Sequence, residues 1–437
     1  MNKLSLRPIR QLYKSSLLRA AGTYGVFSII NSSIPFLLLP ILTRYLSPSD
    51  YGIVAVFNIL VTITIPFIGL NTNGAFSRAF FAHDRFETST YTGTIVMFVL
   101  LNSLFVTFLI VVFRNSLEKI FSIPSNWLWL TGLMGLSISL IQIALTAWRV
   151  RERPKAFGLF QISNTIADFS LAVLLVVVLG MSWQGRIVSR AIIAPIFAFL
   201  GIFILKRNKW LTFRWDTSCL CHALAFGIPL IPHSLAGIIN TATDRLFIAH
   251  MVGVADVGVY TVGYQIGAII NLLATAFNQA YSPWLFKKLN QNNGQIKRKI
   301  VRYTYVYFLL ILFFAFLLGI VAPFILKYLL GKEFQGSAIY VTWIAVGSAF
   351  NGMYYMVVNY IFYAEKTYLL AIVTFTGAAI NICMNYFLIK INGAIGAAQA
   401  TTLVNLITFL FVWVLSARVY SMPWFDFKKT NRRQDKT

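Results

Sequence analysis

From Tyr303 to Leu326 the chain reads YTYVYFLLILFFAFLLGIVAPFIL, without one charged side chain. A helix rises about 1.5 Å per residue, so this run reaches across the roughly 30 Å of a bilayer's hydrocarbon core. Transmembrane strands are only about 9–11 residues long and alternate in polarity, so the run reads as a helix. Similar runs extend outward from it in both directions. Before it lie 20–43, 52–73, 93–113, 127–147, 157–180, 186–205, 225–250 and 258–282; after it, 337–362, 368–389 and 394–417. With 303–326 itself they make twelve spans, TM1 to TM12 in chain order. The chain is 58% hydrophobic, 16% aromatic and 11% charged over 437 residues, which excludes an ordinary soluble domain. The fold class is an all-α polytopic membrane protein.

A formal net charge of +24 would suggest nucleic acid in a soluble protein. Here the basic residues crowd into alternate gaps: Lys3 to Arg19 before TM1, Arg149 to Lys155 after TM4, and Lys206 to Arg214 after TM6. Lys287 to Arg302 follow TM8, and Arg418 to Lys436 follow TM12. The intervening gaps are sparse, holding Arg44, Arg114 with Lys119, Arg186, Lys327 with Lys332, and Lys390. The positive-inside rule then puts both termini and the basic loops in the cytoplasm. Topology signals and anionic headgroups account for the charge, with membrane lipids as partners and no nucleic acid.

Other chemistries find no support. Cys219, Cys221 and His222 are adjacent ligands without a second cluster, so no metal is expected. The first apolar run is too long for a cleavable signal peptide. No phosphate-cradling Walker sequence occurs, no sparse gap is longer than that near 114–126, and no acidic pair occupies a loop. The chain reads as a mover of a substrate rather than an enzyme, and no cofactor is expected.

Six spans precede the basic connection 206–222 and six follow it, giving lobes 20–205 and 223–417 with basic tails 1–19 and 418–437. Leu46-Ser-Pro-Ser-Asp-Tyr-Gly52, between TM1 and TM2, aligns with Val252-Gly-Val-Ala-Asp-Val-Gly258, between TM7 and TM8. Asp50 then matches Asp256, and Gly52 matches Gly258. Two lobes of equal orientation, related by an axis along the membrane normal, suit a transporter that rocks about a central site. Pro35, Pro40, Pro66, Pro195, Pro229 and Pro232 bend the spans, as static or as mobile kinks.

Ionisable groups inside spans cost about 2.5–3.5 kcal/mol each on insertion scales and need a reason. TM5 carries Gln161, Asn164 and Asp168 at i, i+3, i+7, on one helical face. Counted from 157, Asp168 lies roughly 16 Å deep and is the candidate for ion coupling, to H+ or Na+. TM7 carries His233, Gly237, Asn240 and Asp244 on one face, with Arg245 next. Neighbouring helix positions diverge by about 100°, so Asp244 is expected to turn toward the cavity, or toward Arg190 or Arg44 on the other lobe, as a gate. The alternative is a buried structural pair. Arg190, Arg245 and Arg44 are expected to form a basic cluster on the outer half. Arg78 and Arg149, at the cytoplasmic ends of TM2 and TM4, are placed to receive an anionic headgroup, or simply to anchor the helices. Asn271 with Asn278, and Asn381 with Asn385, read as helix–helix hydrogen-bonding groups.

Leu37-Leu-Leu-Pro-Ile-Leu-Thr-Arg-Tyr-Leu-Ser-Pro-Ser-Asp-Tyr-Gly52 resembles the TM1–TM2 signature of bacterial polysaccharide and O-antigen flippases. These belong to the multidrug/oligosaccharidyl-lipid/polysaccharide exporter superfamily. Phe226-Gly-Ile-Pro-Leu-Ile-Pro-His233, Thr243-Asp-Arg-Leu-Phe247 and Gly258-Val-Tyr-Thr-Val-Gly-Tyr264 resemble its TM7–TM8 segment, and Trp148-Arg-Val-Arg-Glu-Arg-Pro-Lys155 its TM4–TM5 loop. The resemblance implies two pseudo-symmetric six-helix lobes in a V-shaped bundle like that of multidrug exporters. It further implies transfer of an undecaprenyl-diphosphate-linked oligosaccharide between leaflets of the bacterial inner membrane, for O-antigen, lipopolysaccharide or related glycan assembly. The glycan polymerase machinery is then an expected partner. The family's cavity is often cationic; here Asp168 and Asp244 formally offset Arg190 and Arg245. An ion-coupled drug antiporter of the same superfamily is the alternative, and a membrane glycan polymerase or ligase a more distant one.

Overall fold

Twelve helices long and apolar enough to cross a bilayer make up nearly the whole of the computed structural model. It describes residues 16–81, 86–291, 293–364, 366 and 368–424, without the side chains at 16–22, 24, 240, 368 and 371. Most of the basic tail residues therefore lie outside the described part, and there is no strand among the described residues. TM1 spans Ser16–Tyr45, TM2 Pro48–Gly69, TM3 Thr88–Val112, TM4 Trp129–Val150 and TM6 Trp183–Arg207. TM5, Pro154–Val173, runs on through a π-helical turn at Leu174–Val178. TM7 comes in three pieces, Thr217–Gly227, a 3-10 turn at Ile228–Leu230 around Pro229, and Ile231–Met251. TM8 is interrupted at Ala268, between Val254–Gly267 and Ile269–Leu289. TM9 is Gly294–Leu329, TM10 Ala338–Tyr363, TM11 Tyr368–Asn392 and TM12 Ala394–Val419.

The helix ends follow from capping chemistry rather than from where the apolar runs stop. TM7 was expected from 225 but begins at Thr217, because the Asp216 side chain accepts the Cys219 amide at 3.0 Å. The connection between lobes is thus shorter than the expected 206–222. It is also packed: the Thr212 amide donates to the Ser89 carbonyl at 3.1 Å, and Thr94 Oγ1 donates to the Arg214 carbonyl at 3.0 Å. TM8 runs past its expected end at 282 with Lys287 and Lys288 in its last turn, and TM9 begins before 303, at Gly294, where the Asn293 side chain accepts the Gln295 amide at 2.8 Å.

Apolar side chains point outward along TM9, with Leu309 and Phe324 each 71% exposed, as a helix facing hydrocarbon requires. Lipid tails are as apolar as leucine, so close packing rather than burial from water holds such helices together. A very close approach joins the two aligned segments. A Cβ on Gly52 would overlap the Val254 carbonyl, and one on Gly258 the Pro48 carbonyl. The repeat read from sequence is therefore a contact in space: each copy's glycine receives the other copy's helix start. Ser47 fixes that corner, its Oγ accepting the Asp50 amide while Asp50 accepts the Ser47 amide, each at 3.1 Å.

Three further contacts close the same end, opposite the basic loops. Arg44 donates to the Tyr328 carbonyl at 3.3 Å, the Gly331 amide reaches Thr43 Oγ1 at 3.3 Å, and His250 Nε2 lies 2.5 Å from the Ile120 carbonyl. At the basic end, Arg151 lies over Trp210 at 4.3 Å and over Phe80 at 4.8 Å, while Arg153 lies over Trp210 at 4.8 Å. Burial, then the neighbouring Arg153 charge, lowers the Arg151 pKa to about 10, which leaves it cationic at neutral pH. These cation–π contacts clasp the TM4–TM5 and TM6–TM7 connections together.

Candidate functional site

TM5 begins at Pro154 rather than near 157, so Asp168 stands fourteen residues in, about 21 Å along the helix. That puts it beyond the midpoint, in the half of the bundle away from the basic loops. TM6 runs back antiparallel, and its first turn brings Arg186 opposite. The guanidinium grips the carboxylate at both oxygens, Nη1 to Oδ1 at 2.8 Å and Nη2 to Oδ2 at 3.0 Å. Ser189 Oγ lies 3.1 Å from the same Oδ1, and the Phe169 ring lies 4.8 Å from the guanidinium carbon. The two side chains are 15% and 12% exposed, which makes this a nearly desolvated, fork-on-fork pair.

One turn further along TM6, Arg190 Nη1 donates to Asn58 Oδ1 of TM2 at 2.6 Å. A neutral carboxamide orients that guanidinium without cancelling its charge. Between these groups is a cavity of about 570 Å³, lined by Asn31 of TM1, Asn58, Asn164, Asp168, Arg186 and Arg190. Thr261 and Gln265 of TM8 complete the wall from the second lobe, facing Tyr51 of TM2. Tyr51 donates to Gln265 Oε1 at 3.2 Å across the seam, and Thr165 donates to Asn31 Oδ1 at 2.7 Å. The cavity has one guanidinium more than it has carboxylates, and is otherwise furnished with carboxamides and hydroxyls. Such a lining suits an anion that carries many hydroxyl groups.

Asp168, Asn164 and Arg190 thus gather as their helical faces suggest, whereas other expected residues do not. Gln161 is absent from the lining; its Oε1 is buried without a hydrogen-bond partner. Asn240 falls among the side chains outside the described part. Arg78 lies over Phe226 at 5.8 Å and Arg149 over Phe157 at 5.2 Å, each on its own aromatic ring and neither in the cavity wall. Arg44, on the Tyr328 carbonyl, does not join Arg190 and Arg245 in a basic cluster.

The expected reach of Asp244 to the other lobe is also corrected. Its Oδ2 accepts the Tyr260 hydroxyl at 2.5 Å and its Oδ1 accepts the Arg245 amide at 2.8 Å. Arg245 curls back along its own helix, with Nη1 2.8 Å from the Thr241 carbonyl and 3.3 Å from Asp244 Oδ1. A long, flexible side chain overcomes the 100° divergence that made the pairing look poor. Arg245 Nε reaches Thr261 Oγ1 at 3.3 Å, and its guanidinium lies over Tyr264 at 4.3 Å, directly behind the cavity wall.

Arg186 and Asn58 were missed by reading the sequence. Arg186 follows a connection so short that it counted as a loop charge. Asn58 is uncharged and has only Thr62 as a polar neighbour one turn on, too weak a pattern to single it out. The amide pairs read from TM8 do bond to another helix, Asn271 to Asn351 at 2.9 Å and Asn278 to Asn359 at 2.8 Å, whereas Asn385 donates to Asn381 of its own helix at 3.0 Å.

The chain is thus a twelve-span helical membrane bundle with a polar cavity set mainly among its first six spans and bordered by TM8. Residues 41–339 match the family described as polysaccharide biosynthesis protein, and the chain belongs to that family. It is 25% identical over 362 residues to "Lsg locus putative protein 1" of Haemophilus influenzae, covering 80% of this chain and 85% of that one. It is 27% identical over 357 residues to an uncharacterized membrane protein of the same organism, with the same coverage. Among solved structures, the lipid II flippase MurJ in an inward closed conformation superposes with a TM-score of 0.69 at 15% identity, over 91% of this chain and 86% of that one. An inward-facing multidrug resistance MATE family transporter of the MOP superfamily gives 0.68 at 14% identity, over 89% and 94%. These likenesses establish the fold: a MATE-like bundle of two pseudo-symmetric six-helix lobes.

Proposed function

We propose that the protein is a flippase for lipid-linked oligosaccharide, carrying an undecaprenyl-diphosphate-linked repeat unit of O-antigen or a related glycan from the cytoplasmic to the outer leaflet. The observation that carries this reading is the cavity of the first lobe, bordered by TM8 of the second, where Arg190 is held by a neutral carboxamide beside the closed Asp168–Arg186 pair. A diphosphate finds an uncancelled guanidinium there, and sugar hydroxyls find Asn31, Asn58, Asn164 and Gln265. The lipid tail stays in hydrocarbon throughout. The basic loops face the cytoplasm of a bacterial inner-membrane protein, so the closed end is the outer one and must open for release. A ligand drives that opening only if it binds the two states differently. Opening the Asp168–Arg186 fork, by protonation or by the arriving diphosphate, is a step that couples charge to conformation. Asp168 is then the group through which H+ coupling acts, and Na+ coupling would use the same carboxylate. Movement rather than bond chemistry is the activity, and a glycan polymerase is the partner that would consume the product.

A drug antiporter would need a cavity dominated by acidic groups for organic cations. The one carboxylate in this lining is already gripped by Arg186. The test is binding of a polyprenyl-diphosphate oligosaccharide to the purified protein. Arg190→Ala should weaken it about tenfold or more, as loss of a charged hydrogen bond implies, and should leave an organic cation's binding unchanged. Tight binding of the cation and none of the diphosphate lipid would favour the antiporter.

A further inference from the structure

At the basic end, on the lipid-facing side of the seam between TM5 and TM6, lies a second cavity of about 420 Å³. Its walls are Leu159, Phe160, Phe197, Leu200 and Ile204, and Arg153 stands at its mouth. Leu159 is 61% exposed and Leu200 39%, so the groove is open to hydrocarbon rather than sealed as core. On TM5 it runs from Arg153 to Ser163, about 15 Å at a helical rise. That is half the roughly 30 Å hydrocarbon core, the depth of a single leaflet.

Arg153 is fixed rather than trailing, since its guanidinium lies over Trp210 at 4.8 Å. Among the described residues its guanidinium makes no hydrogen bond, so its N–H edge is available to a phosphate. Asn208, on the same rim, donates to the Ile204 carbonyl at 2.8 Å. Lys155, Lys206, Arg207 and Lys209 surround this end in sequence. We infer that this groove holds a resident membrane phospholipid with an anionic headgroup, its phosphate on Arg153 and one acyl chain between TM5 and TM6. A cationic mouth above an apolar slot of leaflet depth matches such a lipid in charge and in length. The groove is headed at the membrane surface and not in the central cavity, so the occupant is distinct from the cargo. The inference does not depend on what the central cavity carries.

The test uses the full chain, delipidated in detergent and given phosphatidylglycerol or phosphatidylcholine in known ratio, with bound lipid counted by native mass spectrometry. One phosphatidylglycerol should remain bound with a preference of about tenfold, the size expected for one charge-assisted contact. Arg153→Ala should remove the preference, and Leu200→Trp, which fills the slot while keeping the charge, should reduce retention of both lipids. Equal retention of the two lipids by the parent protein, or retention unaffected by Leu200→Trp, would overturn the inference. So would displacement of the bound phospholipid by polyprenyl phosphate, which would assign the groove to the cargo's tail.

Discussion

Asp168 and Arg186 show how one side chain's meaning depends on its partner. Read alone, Asp168 is a carboxylate exposed to a transport path; in the structure it is half of a fork already closed. Removing one member of a fully buried pair costs about 3–5 kcal/mol, and the residual exposure here reduces that to about 1–3 kcal/mol. Asp168→Asn should therefore lower thermal stability, and Asp168→Asn with Arg186→Gln should recover part of the loss while transport stays impaired. Additive losses of stability in the double variant would show that the pair is not coupled. Asp244 sits in a tighter arrangement, bonded within its own lobe to Tyr260 and Arg245. Asp244→Asn and Tyr260→Phe should each destabilise the protein, non-additively, without altering the distance between the lobes. Asp168 was legible because a charge inside an apolar run stands out. Arg186 was not, because the edge of a span is blurred by a turn or so and a charge at that edge looks like a loop residue.

Among the elements, the corner between TM1 and TM2 and its counterpart between TM7 and TM8 carry the closed end. The weak alignment of 46–52 with 252–258 was readable, and the mutual packing of Gly52 and Gly258 gives it a physical basis: neither position has room for a Cβ. Gly258→Ala should accordingly force the two helix starts apart. Spin labels placed at Ser122 and Met251, near the His250 contact to Ile120, should report a longer or broader distance than in the parent. An unchanged narrow distribution would mean the end is held shut elsewhere. The interruption of TM8 at Ala268 and the π turn of TM5 contain no proline, the residue by which bends are most readily read from sequence, and Gly267 is the one local sign of the first. The early start of TM7 had a signal, Asp216 before Thr217, hidden by placing the boundary at the first strongly apolar residues.

For the whole molecule, span count and the alternation of basic gaps came straight from the physics of burying helices in hydrocarbon, and the bundle has those twelve spans. The central cavity was legible only in outline, since which faces of TM1, TM2, TM5, TM6 and TM8 converge depends on packing across distant parts of the chain. The proposed orientation rests on the charge alternation: an introduced cysteine near 210 should resist a membrane-impermeant reagent added outside intact cells, and one near 120 or 255 should react. External labelling near 210 would invert the bundle and with it the proposed direction of transport. The central claim is tested most directly by reconstituting this protein alone into liposomes with a labelled lipid-linked oligosaccharide and following its appearance in the opposite leaflet. Transfer well above that of protein-free liposomes, lost in Arg190→Ala and in Asp168→Asn, is the predicted result; transfer no faster than in protein-free liposomes, or equally fast in both variants, would contradict the account.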